Sequence, residues 1–184
     1  MSTRPPIDAR DDARAAIDAV LDRFGPGPLR VAADAGTRLV HLRGSERYCD
    51  RSALLRSLAS SVDEWPVPPA GLFVVDERTI YLRSTSVMTV AHEFAHALDC
   101  ALGGGVYLSG LDPRVRRAFA RARAFVTPYA ASGLDEYFAE CVRAWVEAND
   151  PRSPWPRATR QRLRSLDPAM AAVLESIFAY DLAA

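Results

Sequence analysis

The sequence predicts an α+β fold, because strand patterns occur in its first half and helical patterns fill its second half. Two hairpins are predicted, one formed by residues 30–34 and 38–43 and the other by residues 72–75 and 79–83. From residue 87 onward, apolar residues recur at helical spacing. The helices predicted there span residues 87–102, 113–125, 134–148, 157–164 and 167–178. Strands followed by a run of helices indicate a small twisted sheet and a mostly helical C-terminal half.

Two further helices are predicted in the N-terminal region. Residues 8–24 carry apolar side chains on one face, and the prolines and glycines of residues 25–28 end this helix. Residues 51–62 form the second helix, and the proline-rich residues 65–69 force an extended loop after it. We expect one domain over residues 1–184, in which residues 1–70 supply N-terminal helices and a hairpin and residues 71–184 form the functional core.

The composition excludes several classes of protein. Of 184 residues, 49% are hydrophobic and 25% are charged, which is ordinary for a soluble globular domain and excludes a disordered or fibrous chain. The 23 basic and 23 acidic side chains balance, so the net charge gives no drive toward nucleic acid or an anionic membrane. We therefore expect neither as a partner, and we expect a monomer.

All 23 basic residues are arginine, and they are unevenly distributed. Codon bias and selection against lysine-directed modification are both open as explanations. Residues 114–164 hold 11 arginines against five acidic residues, and Arg114, Arg117 and Arg121 lie near one face of a predicted helix. This excess could attract an acidic substrate or partner, or it could be ion-paired with the acidic remainder of the chain.

The N-terminus and the cysteines favour a cytoplasmic protein. The first residues are polar and lack the apolar segment of a secretory signal, and no stretch approaches the ~18 apolar residues of a membrane span. The cysteines, Cys49, Cys100 and Cys141, are odd in number and lack close pairing, which argues against a disulfide framework. Export by a signal-independent route remains compatible with these observations.

The informative motif is H-E-x-x-H, formed by His92, Glu93 and His96. Residues four apart share a helix face, so both imidazoles could bind one Zn²⁺ at about 2.0–2.1 Å. Glu93 follows the first histidine, where it could act as a general base. The same helix presents an apolar stripe on its other side, which would leave the histidines facing a cleft. The alternative is a pair of surface histidines that bind no metal.

A third zinc ligand is predicted from the helix over residues 134–148. Glu136 and Glu140 lie one turn apart on its polar face, so Glu136 could bind zinc and Glu140 could accept a ring N–H from a ligating histidine. Ser132 is the predicted N-cap of this helix. Asp99 shares the histidine face of its own helix and is placed to support a ligand rather than to bind. Taken alone, the two glutamates could equally form a solvated acidic face.

Tyr129 lies seven residues before Glu136. A phenol beside the metal could donate a hydrogen bond to the oxyanion of a tetrahedral intermediate. It could equally be a packing residue in a loop, and the residues alone do not decide.

Over residues 72–148, the pattern of His92, Glu93, His96, Tyr129 and Glu136 resembles the catalytic domain of anthrax lethal factor and the related Pro-Pro endopeptidases. These proteins are zincins, peptidases in which two histidines and a later glutamate bind zinc. The resemblance implies that His92, His96 and Glu136 are ligands, Glu93 the base and Tyr129 the oxyanion donor, with Glu140 matching the glutamate that follows. It also implies a strand that pairs with extended substrate, for which the candidate residues are Thr79, Ile80, Tyr81, Leu82 and Arg83.

The predicted function is therefore that of a zinc-dependent endopeptidase with one catalytic Zn²⁺ and a peptide or protein substrate. Two alternatives stay open. One is a zincin-like binding or toxin module without turnover, and the other is a zinc amidase that acts on a cell-wall amide.

Overall fold

A computed structural model describes residues 3–59, 62–153 and 157–179 of the chain. Its strands are β1 (Ile7–Asp8), β2 (Arg38–His41), β3 (Gly71–Val74) and β4 (Thr79–Leu82). Its helices are α1 (Asp11–Leu21), α2 (Pro26–Asp34), α3 (Tyr48–Arg51), α4 (Ala53–Ser57), α5 (Val87–Leu102), α6 (Leu108–Leu111), α7 (Pro113–Arg121), α8 (Leu134–Trp145), α9 (Arg160–Leu166) and α10 (Pro168–Phe178). Single 3₁₀ turns lie at Asp22–Phe24, Val62–Glu64 and Tyr129–Ala131.

The described strands form one mixed sheet in the order β1-β2-β4-β3. β1 and β2 pair in parallel, β2 and β4 pair in parallel, and β3 and β4 form an antiparallel hairpin. This hairpin confirms the prediction for residues 72–75 and 79–83. With helices after the sheet, the architecture also confirms the predicted α+β class.

Helix α5 lies at the centre of the molecule, and it begins and ends at the predicted residues. Ser86 caps it, because its hydroxyl accepts the N–H of Thr89 at 3.2 Å. Phe94 is fully buried on the apolar side of the helix, and its ring meets that of Phe24 with centroids 4.6 Å apart. The N-terminal region thus packs against the back of α5 and leaves the opposite face for the candidate site.

The predicted hairpin over residues 30–34 and 38–43 is wrong. Residues 30–34 belong to helix α2, and β2 pairs in parallel with its two neighbours instead of folding back on residues 30–34. Pro26 occupies the first turn of α2, where its fixed φ favours a helix and its missing N–H costs nothing. Gly36, at a φ of +82°, lets the chain leave this helix for β2.

Several helix boundaries also differ from prediction. Extended Ser52 divides the predicted helix over residues 51–62, because its hydroxyl accepts the N–H of Leu55 and starts α4. Residues 60–61 of that prediction lie outside the described residues. Helix α7 ends at Arg121 rather than at residue 125, and α8 ends at Trp145 rather than at residue 148. Across the described part of the chain, none of these helices has both the length and the apolarity that crossing a membrane requires.

The proposed substrate-pairing role of Thr79–Arg83 is wrong for backbone pairing. β4 is an internal strand whose main chain already bonds to β2 on one side and β3 on the other. Its side chains are also engaged: Tyr81 donates to Glu77 at 2.7 Å, and Arg83 pairs with Asp63 at 2.5 Å. Among the described residues, β1 and β3 are the two edge strands of the sheet, and of these β3 is the hairpin partner of β4, so its outer edge is open to an added strand.

The turn after α5 generates a prediction about stability. A Cβ at Gly103 would lie 2.0 Å from the carbonyl oxygen of Val106 and 2.7 Å from the backbone nitrogen of Leu108. We expect Gly103→Ala to cost about 2 kcal/mol through this overlap. That loss would lower Tm by about 4–8 °C in a chain of this size. Thermal unfolding followed by circular dichroism measures it.

Gly110→Ala is the matched control, because a Cβ at Gly110 would have nothing within 4 Å. We expect its Tm to equal or slightly exceed that of the wild type. Equal effects of the two substitutions would contradict the steric explanation.

Candidate metal centre

Helices α5 and α8 bring three candidate ligand atoms together. Nε2 of His92 lies 3.1 Å from Nε2 of His96, and Oε2 of Glu136 lies 3.0 Å and 3.4 Å from these two nitrogens. His92 and His96 come from adjacent turns of one helix, whereas Glu136 comes from the first turn of the other. The three residues that the sequence predicts as metal ligands therefore place their ligand atoms close together.

The triangle has the dimensions that a zinc ion requires. Two ligands bound to a tetrahedral ion at about 2.0–2.1 Å lie about 3.3 Å apart, close to the separations found here. Oε2 of Glu136 is buried and, among the described residues, its polar neighbours are the two imidazole nitrogens. A buried oxygen held against two ring nitrogens is costly unless a proton or a cation lies between them, and a cation at the centre of the triangle would satisfy all three atoms. The donor set of two imidazoles and one carboxylate fits Zn²⁺ and leaves one position of a tetrahedral ion open.

Glu140 fixes the orientation of the first histidine. Its Oε1 lies 3.0 Å from Nδ1 of His92, so the ring donates its Nδ1–H to the carboxylate and turns the Nε2 lone pair toward the triangle. Glu140 also accepts hydrogen bonds from Thr127 at 2.6 Å and from the Arg143 guanidinium at 2.7 and 2.9 Å. The side chains of Glu140, Thr127 and Arg143 are all buried.

The electrostatics of the site favour positive charge between the two helices. Burial lowers the pKa of His92, but hydrogen bonds to Glu136 and Glu140 outweigh burial and raise this pKa to about 10. Burial raises the pKa of Glu136, but hydrogen bonds from His92 and His96 outweigh it, and the net shift is downward. Burial also raises the pKa of Glu140, but hydrogen bonds from His92, Arg143 and Thr127 outweigh this effect, and the pKa falls to about 2. Two ionised carboxylates therefore face the imidazoles, and a divalent cation would replace the proton that they otherwise stabilise.

Glu93 lies beside this triangle, with 8% of its surface exposed. Burial raises the pKa of its carboxyl group, and the nearby His92 and His96 offset part of this increase. The backbone N–H of Phe73 donates a hydrogen bond to the same carboxyl group. The strand leaves room for this side chain only because residue 71 is glycine: a Cβ there would lie 2.6 Å from Cγ of Glu93. Strand β3 thus packs directly against the Glu93 side chain.

Tyr129 lies at the mouth of the site and is 54% exposed. Its hydroxyl donates to Oε1 of Glu136 at 3.0 Å, and its ring centroid lies 5.6 Å from that of His92. Burial of the hydroxyl and the negative charge of Glu136 raise its pKa to about 12, so the phenol keeps its proton and remains a donor.

Asp99 is fully buried one turn beyond His96. Its Oδ1 accepts the backbone N–H of Ser109 at 2.8 Å, which ties α5 to α6. Oδ2 of Asp99 and Nδ1 of His96 are both buried, and neither has a hydrogen-bond partner among the described residues. The supporting role predicted for Asp99 toward a histidine remains a prediction.

Three parts of the site were missed or misplaced by sequence reasoning. Arg143 lies one turn after Glu140 on the same helix, and this i, i+3 spacing is a signal that could have revealed the pair. Thr127 carried no such signal, because it reaches Glu140 from the loop before α8. The predicted N-cap was wrong: α8 starts after Gly133, and the Ser132 hydroxyl donates to the carbonyl of Tyr129 instead.

Part of the site lines a cleft of about 320 Å³. His92, Glu93, Tyr129 and Glu140 are among its lining residues. Pro69 and Gly71 line the side toward β3, and Met88 lines the side toward the start of α5. The candidate metal centre is therefore accessible from solvent at His92, beside the edge strand β3.

Comparison with known proteins places the chain in the fold of a solved peptidase structure. That structure is the Pro-Pro endopeptidase PPEP-2 from Paenibacillus alvei, with a TM-score of 0.66 and 17% sequence identity. The match covers 92% of this chain and 93% of that chain. The resemblance seen in the sequence is thereby supported at the level of a related fold. No protein-family profile and no curated protein matches the sequence.

The geometry around Glu140 generates a prediction about metal affinity. Glu140→Gln removes the charge that orients His92, and we expect it to lower Zn²⁺ affinity by about 10–100-fold. Competition with a chromophoric chelator measures the Kd. Glu175→Gln is the control, because it removes an equal charge from an exposed pair with Arg164. An unchanged Kd in Glu140→Gln, or an equal loss in the control, would contradict the positioning role.

Proposed function

We propose that this protein is a zinc-dependent endopeptidase. The observation that carries the proposal is the convergence of Nε2 of His92, Nε2 of His96 and Oε2 of Glu136 within 3.0–3.4 Å of one another beside a buried glutamate. The open cleft and the similarity of the fold to a peptidase support the same reaction class. On this proposal, residues 1–70 and 71–184 act as one domain.

His92, His96 and Glu136 hold the ion, and Glu140 keeps His92 in the tautomer that ligates. A bound zinc ion supplies Lewis-acid chemistry, which polarises the scissile carbonyl and lowers the pKa of water to about 7. The remaining tasks fall to side chains of the chain itself.

Glu93 acts as the general base. Its carboxylate takes a proton from the attacking water and delivers it to the leaving amine, so that the peptide bond breaks into a carboxylate and a free amine. Burial suits it to this role, because a raised pKa makes the carboxylate a stronger base toward water and lets Glu93 hold the proton until the leaving amine, a stronger base, accepts it. The N–H of Phe73 and the gap at Gly71 keep the side chain in place.

Tyr129 donates to the oxyanion that develops on the scissile carbonyl. In the described structure its hydroxyl bonds to Oε1 of Glu136, and its exposure leaves the ring free to turn toward a bound substrate. Once turned, a donor at this point stabilises charge that develops in the transition state.

The substrate is a peptide or protein segment that binds in extended form along β3. This strand has an open edge among the described residues and runs beside the cleft. Main-chain hydrogen bonds to β3 would give affinity, and pockets in the cleft would give specificity. This assignment replaces the pairing that the sequence placed on Thr79–Arg83.

The first test of this function separates metal binding from catalysis. We expect Glu93→Gln to bind one zinc ion with wild-type affinity and to lose about 10²–10⁴-fold in kcat, because the amide cannot accept a proton. Glu136→Gln should instead lose zinc affinity. Zinc content by atomic absorption and cleavage of a peptide library are measured on the same samples.

Retained cleavage by zinc-loaded Glu93→Gln would remove Glu93 from its role. A zinc-loaded wild type that cuts no library peptide would support a binding or toxin module. Release of fragments from purified cell wall, with no cut peptide, would support the amidase alternative.

A second test addresses the phenol. We expect Tyr129→Phe to lower kcat by about 10²-fold while KM and zinc affinity stay unchanged, since one oxyanion donor is lost. Tyr107→Phe is the control, because Tyr107 is a second tyrosine near a candidate ligand: its ring centroid lies 5.8 Å from that of His96. Steady-state kinetics should show a wild-type kcat for the control. A rise in KM alone for Tyr129→Phe would indicate a binding role instead.

A further inference from the structure

A second cavity, of about 530 Å³, lies between α7 and the start of α10. Four arginines line it, namely Arg114, Arg117, Arg121 and Arg123. Small apolar residues form its floor, among them Ala118, Ala169 and Val173. None of the residues that line this cavity lines the cleft at the metal centre.

The arrangement of the arginines follows from how α7 packs. Val115 and Ala118 are buried on the inner face of the helix, so residues at positions 114, 117 and 121 lie along its flank. Arg123 follows in the segment after the helix and reaches the same cavity. Several guanidinium groups are thus held around one concave surface.

Most of this positive charge is uncompensated. Arg114 is paired with Asp112 at 2.7 Å, but Arg117, Arg121 and Arg123 are exposed and form no ion pair with any residue in the described ranges. The acidic residue that lines the cavity is Asp167, whose carboxylate already accepts hydrogen bonds from the Tyr137 hydroxyl and the backbone N–H of Met170. Like charges gathered in a concavity repel one another and raise the local concentration of anions.

The chemistry and the shape of the lining together favour an acidic peptide. A guanidinium group binds carboxylates, as it binds phosphates, through two parallel hydrogen bonds. From position 114 to position 121 the helix rises about 10 Å, which an extended peptide spans in about three residues. The apolar floor offers contact to side chains between the acidic ones. No aromatic side chain among the described residues lines the cavity, so the stacking platform typical of nucleic-acid sites is missing there.

We propose that this cavity docks an acidic segment of a partner protein, in which carboxylates pair with Arg117, Arg121 and Arg123 and apolar side chains rest on the floor formed by α7 and α10. The site is separate from the metal centre, so the proposal does not depend on the peptidase reaction.

The test uses the full chain and a fluorescent peptide of alternating Glu and Leu, followed by anisotropy at several salt concentrations. We expect saturable binding that weakens as salt rises, because exposed charges are screened. The double variant Arg117→Gln/Arg121→Gln should bind at least tenfold more weakly. The matched control is Arg116→Gln/Arg157→Gln, which removes two exposed arginines that do not line the cavity. The control should bind as the wild type does.

Competitors and a charge swap complete the design. The same peptide with Gln for Glu should not bind, and inorganic tripolyphosphate and a single-stranded oligonucleotide should compete weakly. The variant Arg117→Glu/Arg121→Glu should no longer bind the acidic peptide and should instead bind a peptide of alternating Arg and Leu. Equal losses in the test and control variants, binding of the Gln peptide, or tighter binding of the oligonucleotide or tripolyphosphate would each overturn the proposal.

Discussion

The candidate site depends on the buried carboxylate of Glu140. A buried charge is tolerated only when it is paired and hydrogen-bonded, and Glu140 meets this condition with His92 on α5, Thr127 on the preceding loop and Arg143 on α8. These bonds fix α8 against α5 at the place where Glu136, one turn earlier, reaches the two histidines. The triangle of candidate ligands is therefore a consequence of one saturated charge network rather than of three independent side chains.

Packing on the apolar side of α5 fixes the position of the two histidines. Its apolar side is buried against the N-terminal region, with Phe94 packed on Phe24 at 4.6 Å. Its first turns are bounded by β3, where Gly71 leaves room for the Glu93 side chain. Because close packing fixes the rotation of α5 about its axis, His92 and His96 are directed at α8 before any ion binds.

The parts of this structure that the sequence predicted are those specified locally. The boundaries of α5 follow from its capping serine and its apolar stripe, and the histidine spacing needs only helix geometry. Residues 30–34 were mistaken for a strand because a short apolar run fits a strand or a buried helix equally well. The central position of β4 depends on pairing with β2, about 40 residues earlier in the chain, and no local pattern encodes that. The reach of Thr127 to Glu140 likewise depends on the path of a loop.

The zero net charge of the chain hides two opposite fields, and α8 separates them. One face of this helix directs Glu136 and Glu140 at α5, where the negative charge is buried and suited to a cation. Its other side carries Tyr137, which packs on Phe119 of α7 at 5.3 Å and hydrogen-bonds Asp167 at the start of α10. Beyond that aromatic layer lie the arginines of the second cavity. Burial places the acidic charge where a small ion could reach it and where its interactions are strong, whereas exposure makes the basic charge suited to steering a larger anionic partner. A single helix thus separates a buried acidic cluster from an exposed basic cavity, so the two do not neutralise each other in one neutral chain.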